Sequence, residues 1–268
     1  MEEFGSICRE MLLWPEGAPV SSGLSGAEQT LGLGLVGNVS VPVLYVYPSL
    51  QPCGQAVILC PGGGFRGVAI EHEGRAFVRW FNERGITLAV LKYRLPNGRR
   101  EIPGEDIRRA VYLLKEHSGE LRIRSLGVMG ASIGGYVAAL AALFPEAGMR
   151  PDFQILLYPV ISMRDGLTHL PSRERLMGPR PSGDEIASCS LDRHVSAETP
   201  PAFIALAEDD QAVTPENSLL YYRALMKNRV PASLHIYPEG GHSFGFSDTF
   251  RYKREWLAEL EKWLGELR

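Results

Sequence analysis

Short apolar runs separated by amphipathic stretches set the pattern of this chain from about residue 56 onward. The runs predict strands at Val41 to Tyr47, Ala56 to Cys60, Thr87 to Tyr93, Leu126 to Met129, Phe153 to Tyr158, Phe203 to Ala207 and Ser233 to Tyr237. Between them, helical patterning covers Gly74 to Glu83, Glu105 to Glu116, Gly135 to Leu143, Pro215 to Lys227 and Thr249 to Leu267, with Pro215 suited to a first turn. Such alternation argues for a mostly parallel central sheet with helices on both faces, an α/β fold. Ser162 to Pro201, rich in Pro, Ser, Arg and Asp, breaks the rhythm just after a strand. It reads as a cap insertion over a site at the carboxyl ends of the strands or, equally, as a long surface insertion without a role.

The 268 residues, 45% hydrophobic, suit one α/β domain spanning 1–268 with the cap insertion at 162–201. A net charge of −3 gives no argument for nucleic acid or an anionic membrane surface, and Arg99-Arg100 and Arg122-Ile123-Arg124 read as solvated surface. The opening Met1 to Gly5 lacks the basic and apolar regions of a secretory leader, and no apolar run is long enough for a membrane span. Cys8, Cys53, Cys60 and Cys189 fit no metal or redox spacing, so reduced thiols and a cytoplasmic location are expected.

The most specific chemistry begins at Gly130. Gly130-Ala131-Ser132-Ile133-Gly134-Gly135 follows one apolar strand and precedes a small-residue helix. That is the setting of a G-x-S-x-G nucleophile elbow, in which Ser132 stands clear of the sheet and the Ile133 N–H points where an oxyanion forms. Upstream, Pro61-Gly62-Gly63-Gly64-Phe65 follows the strand ending at Cys60 and has the place of an HGGG-type loop, with Pro61 at the histidine position. Gly63 or Gly64 is then the second oxyanion donor. After the last strand, Pro238 to His242 puts a histidine on a glycine-supported loop, the expected general base.

The acid belongs between elbow and histidine, and Glu208-Asp209-Asp210 ends the strand Phe203 to Ala207. Asp210 is preferred for its D-x-x-V spacing into the next helix, with Asp209 as runner-up. His72, His117 and His194 sit among charges and read as solvated, while His235 reads as a packed sheet residue. His169, in a polar loop, stands as a candidate substrate contact. Gly32 to Gly37 fits G-x-G-x-x-G, yet a strand-like run follows it and no Asp or Glu occurs from Val39 to Cys60. It therefore reads as a loop rather than a dinucleotide site.

At these residues the chain resembles the α/β-hydrolase superfamily, and within it the acetylxylan-esterase-like group of carbohydrate acetylesterases. The resemblance extends through Leu13 to Pro19, Pro61 to Phe65, Leu91 to Pro96, the elbow, Pro200 to Phe203, Glu216-Asn217-Ser218 and Gly240-Gly241-His242. It implies the α/β-hydrolase fold, a Ser132–His242–Asp210 triad, no cofactor, and hydrolysis of a small-molecule ester carrying a short acyl group, acetyl above all, on a sugar or xylo-oligosaccharide. Ile133 departs from the alanine of the commoner G-F-S-A-G elbow, and its bulk is expected to narrow the acyl pocket. Two other readings stand beside this one. A peptidase related to prolyl oligopeptidases would carry a large extra domain for which this chain has no room. A non-catalytic binding protein on the same fold would not need all three triad groups.

Overall fold

The computed structural model describes residues 8–32 and 34–267. Met1 to Gly5 and Leu33, on which two of the expectations above bear, lie outside the described residues. In chain order the strands are β1 (Arg9–Leu12), β2 (Gln29–Thr30), β3 (Leu35–Gly37), β4 (Val43–Tyr47), β5 (Gln55–Cys60), β6 (Val68–Ala69), β7 (Thr87–Lys92), β8 (Ser125–Ala131), β9 (Phe153–Leu157), β10 (Ala202–Ala207) and β11 (Ala232–Tyr237). The helices are α1 (Val78–Glu83), α2 (Ile102–Glu116), α3 (Ser118–Leu121), α4 (Ile133–Leu143), α5 (Leu170–Met177), α6 (Gly183–Ser188), α7 (Glu216–Lys227) and α8 (Lys253–Glu266).

The main sheet runs β1-β4-β7-β5-β8-β9-β10-β11. From β7 to β11 every pairing is parallel, whereas β4 opposes both β1 and β7. Strands β5, β7 and β10 are buried along their whole length, which is why they read as continuous apolar runs rather than alternating ones. Helices α2, α4 and α7 line one face. On the other, α1 and α8 are tied by Arg84 to Glu261, with Trp256 against the nearby Phe77. This is the expected mostly parallel sheet with helices on both faces.

The elements depart from the pattern where tertiary geometry overrides it. Helix α4 starts at Ile133, two residues early, because Gly134 and Gly135 form its first turn. A Cβ on Gly134 would lie 2.0 Å from the Cys60 carbonyl oxygen, so the helix can dock this closely only on glycine. The short β1, β2, β3 and β6 were not expected. The last three form a small antiparallel sheet, and Gly37 belongs to β3, so only the turn of the Gly32 to Gly37 stretch is loop. A hairpin that opens no helix cannot be a dinucleotide fingerprint.

Residues 162–201 hold α5, α6 and a 3₁₀ turn at Leu191–Arg193. They are anchored to the core by the buried Asn217 at the start of α7. Its Oδ1 accepts the N–H groups of Ile161 (2.9 Å) and Ser162 (3.0 Å), and its Nδ2 donates to the Leu167 carbonyl (2.8 Å). Among the described residues no helix is long and apolar enough to cross a membrane.

A second buried polar junction joins two segments of the family resemblance. Asp106 on α2 accepts from the Trp14 indole N–H (2.9 Å), the Arg94 backbone N–H (2.8 Å) and the Arg94 guanidinium (2.7 Å). Asp106 is fully buried and the Arg94 side chain nearly so. Removing one partner of such a pair strands the other charge in a low-dielectric setting. Asp106→Ala should therefore cost about 3–5 kcal/mol of stability, read from the shift in urea unfolding midpoint. A loss below about 1 kcal/mol would show that water or a neighbour satisfies Arg94 unaided.

Candidate active site

Sheet register brings the functional loops together. Cys60 at the end of β5 pairs with Gly130 in β8, so the glycine-rich loop and the elbow leave the sheet side by side. At the other end, Ala207 pairs with Tyr237, so the loops carrying Asp210 and His242 also start as neighbours. All four loops lie at the carboxyl ends of parallel strands, where α/β sheets bind ligands.

Ser132 occupies a sharp turn between β8 and α4 with φ 54° and ψ −125°, a strained conformation for a residue with a side chain. The strain is held in place by the Ser132 N–H donating to Leu157 (3.0 Å) and by its carbonyl accepting from Gly135 and Val160 (3.0 Å each). Glycine at 130 is a matter of space, since a Cβ there would sit 2.1 Å from the Gly134 carbonyl oxygen. The result aims the Ser132 Oγ at His242 Nε2, 2.8 Å away. On the opposite ring nitrogen, His242 Nδ1 lies 2.7 Å from Asp210 Oδ2. The chemistry of the three groups orders the protons: the hydroxyl donates to Nε2, and the Nδ1–H donates to the carboxylate.

The two aspartates divide their work. Asp210 is buried, and its Oδ1 accepts the N–H groups of Ala212 and Val213 at 2.9 Å each, which leaves Oδ2 for the imidazole. This is the physical content of the D-x-x-V spacing. The Asp209 Oδ1 instead accepts the Gly241 N–H (2.7 Å) and braces the histidine loop. His242 keeps about a fifth of its side chain exposed, within reach of a small molecule.

One backbone donor of the glycine-rich loop is already occupied. The Gly62 N–H is taken by the buried Glu73 carboxylate, whose Oε2 lies 2.9 Å away. As the first residue of α4, Ile133 has an N–H with no intrahelical acceptor. Its side chain is fully buried in the core, so it does not narrow an acyl pocket by lining it.

The sequence reading missed Glu73 and Tyr158. Besides holding Gly62, Glu73 accepts the Tyr158 O–H through Oε1 (3.0 Å), and the Tyr158 ring meets His242 edge-on at 5.0 Å. Burial, reinforced by Glu73, pushes the Tyr158 phenol well above its ordinary range, so it stays neutral and donates. One buried carboxylate thus ties the glycine-rich loop to the wall behind His242. No spacing marks either residue, and of the two only Tyr158 is marked by its backbone. Phe65, Ser132, Tyr158 and Ser243 all have positive φ, and all four flank this site.

Of the remaining histidines, His235 stacks on Phe203 within the sheet as expected. His72 is exposed, but His117 and His194 are half-buried rather than solvated. The His117 ring reaches the Leu113 carbonyl (2.8 Å), and His194 packs edge-on to Phe144. His169 lies beside Gly64 of the glycine-rich loop.

A family model described as the prolyl oligopeptidase family matches residues 97–267, from the loop before α2 through α8. The chain belongs to the prolyl oligopeptidase family. The match takes in Ser132, Asp210 and His242, while Pro61 to Phe65 lies upstream of it. Among curated proteins, the chain is 35% identical over 223 residues to an acetylxylan esterase of Xylanibacter ruminicola, covering 80% of this chain and 46% of that protein. It is 32% identical over 203 residues to endo-1,4-beta-xylanase B of Butyrivibrio fibrisolvens, covering 69% of this chain and 32% of that protein. The chain thus spans less than half the length of these curated relatives. Among solved structures, an acetyl ester-xyloside bifunctional hydrolase from Caldicellulosiruptor lactoaceticus superposes with a TM-score of 0.80 at 35% identity, covering 85% of this chain and 88% of that one. The prolyl oligopeptidase-family chain therefore has the α/β-hydrolase fold.

Proposed function

We propose that this protein is a serine esterase that hydrolyses short-chain acyl esters, acetyl above all, on sugars or xylo-oligosaccharides. The observation that carries this reading is the unbroken contact from Ser132 Oγ through His242 to Asp210, 2.8 and 2.7 Å. Ser132 attacks the ester carbonyl while His242 takes its proton, and Asp210 orients the ring and stabilises its imidazolium form. The N–H groups of Ile133 and of Gly63 or Gly64 hold the oxyanion, each such donor being worth ~10²–10³ in kcat. The alcohol leaves with the proton from His242. Water activated by the same histidine then releases the acid and frees Ser132.

Similarity to an acetylxylan esterase and to an acetyl ester-xyloside hydrolase supports acetyl esters of xylan-type sugars as the substrate class. The family's name keeps a peptidase reading in view, and an ordered set of three contacting groups argues against a binding protein. In this reading 1–268 acts as one domain, with 162–201 capping the site. It works without a cofactor, on a small-molecule ester rather than nucleic acid or membrane. The free thiols, two of them buried, support a cytoplasmic location.

The test is kcat/KM for p-nitrophenyl acetate, p-nitrophenyl octanoate and a proline-anilide peptide. Acetate should exceed octanoate at least tenfold, since each methylene misfitted in a small pocket costs roughly 1–3 kcal/mol, and the peptide should not turn over. Preference for octanoate would overturn the acetyl assignment, and preference for the peptide would overturn the esterase.

A further inference from the structure

The capping segment brings one titratable ring to the oxyanion loop that the mechanism above does not use. His169 precedes α5, and its Cε1 lies 3.5 Å from the point a Cβ on Gly64 would occupy. The ring is fixed from behind by Ser172, whose Oγ is 2.7 Å from Nδ1 and which is itself fully buried. The helix is fastened to the same loop by Arg175, which donates to the Gly64 carbonyl (3.2 Å), and to the loop before α2 by the Arg175 carbonyl, which accepts from the Gly98 N–H (2.8 Å). Nε2 has no partner among the described residues. Burial lowers the pKa of His169, and the nearby His242 and Arg175 lower it further against the opposing pull of Asp210. The ring is therefore neutral at neutral pH, with Nδ1 occupied and Nε2 left over.

We propose that His169 is a specificity-determining residue whose Nε2 hydrogen-bonds a hydroxyl on the alcohol half of the ester. A hydroxyl fits because it both donates and accepts, so it satisfies Nε2 whichever nitrogen carries the proton. A carboxylate could pair with only one tautomer, and an apolar alcohol would leave the nitrogen unmet. The ring sits on the capping segment, so sugar recognition and acyl transfer come from different parts of the chain. The proposal rests on the serine-esterase reading.

The experiment compares wild type, His169→Asn and His169→Gln on p-nitrophenyl acetate, whose alcohol has no neighbouring hydroxyl, and on a mono-acetylated methyl xyloside. Asparagine keeps a group near Ser172 and suits the residue before a helix, whereas glutamine places an amide near Nε2. For His169→Asn the loss of kcat/KM on the xyloside should exceed the loss on p-nitrophenyl acetate by about tenfold, mostly through KM, as for one neutral hydrogen bond. His169→Gln should recover most of that difference. Equal losses on the two esters, or no recovery by glutamine, would overturn the proposal. Wild-type protein that turns over neither ester would overturn the esterase reading itself, and this assignment with it.

Discussion

Ser132→Ala should reduce turnover of p-nitrophenyl acetate roughly 10⁶-fold while leaving the fold in place. The size follows from how such groups act as a unit: once the nucleophile is gone, the base and acid have nothing to activate, and only the oxyanion donors retain an effect. The structure explains why folding should survive. The strained turn at φ 54° is held by the Ser132 backbone, through Leu157, Gly135 and Val160, and alanine preserves those bonds. The lost Oγ leaves His242 Nε2 unpaired, but that ring is partly exposed and water can replace the hydroxyl. The unfolding midpoint should thus move by less than about 1 kcal/mol equivalent. An unchanged rate in a folded variant would remove Ser132 from the mechanism.

How far the site could be read in advance depends on the range of the interactions that build it. The elbow is legible because its glycines answer a local crowding, Gly130 against the Gly134 carbonyl, that a short motif can encode. The order of Ser132, Asp210 and His242 is legible because each follows a strand: β8 and β10 are buried and announce themselves as apolar runs, and the half-buried β11 alternates apolar with polar residues. Glu73 is not legible. Its partners, Gly62 and Tyr158, lie 11 and 85 residues away, and only the folded sheet brings them to one carboxylate. The same holds for Asp106, which gathers Trp14 and Arg94 from separate segments. The short strands β2, β3 and β6 escape because two- or three-residue pairings carry no periodicity of their own. His169 sits between these cases: its polar loop marks it for attention, but only the docking of α5 on Gly64 gives it a place.

The two adjacent aspartates allow a sharper test, because sequence alone leaves them in competition and their contacts do not. Asp210→Asn should lower kcat roughly 10⁴-fold, and Asp209→Asn less than tenfold. The argument is one of proton placement. In the wild type Asp210 Oδ1 receives two backbone N–H groups, from Ala212 and Val213, while Oδ2 receives the His242 Nδ1–H. An asparagine must turn its oxygen toward the two donors, which forces its NH₂ toward the imidazole. Nδ1 then becomes the acceptor, the ring proton moves to Nε2, and the base can no longer take the Ser132 proton. At Asp209 the carboxylate accepts the Gly241 N–H, and an amide oxygen fills that role. Both variants should keep the wild-type unfolding midpoint within about 1 kcal/mol equivalent, so that rate and fold are read separately. The opposite ranking in folded proteins would move the acid to Asp209 and would require the His242 loop to close differently in solution.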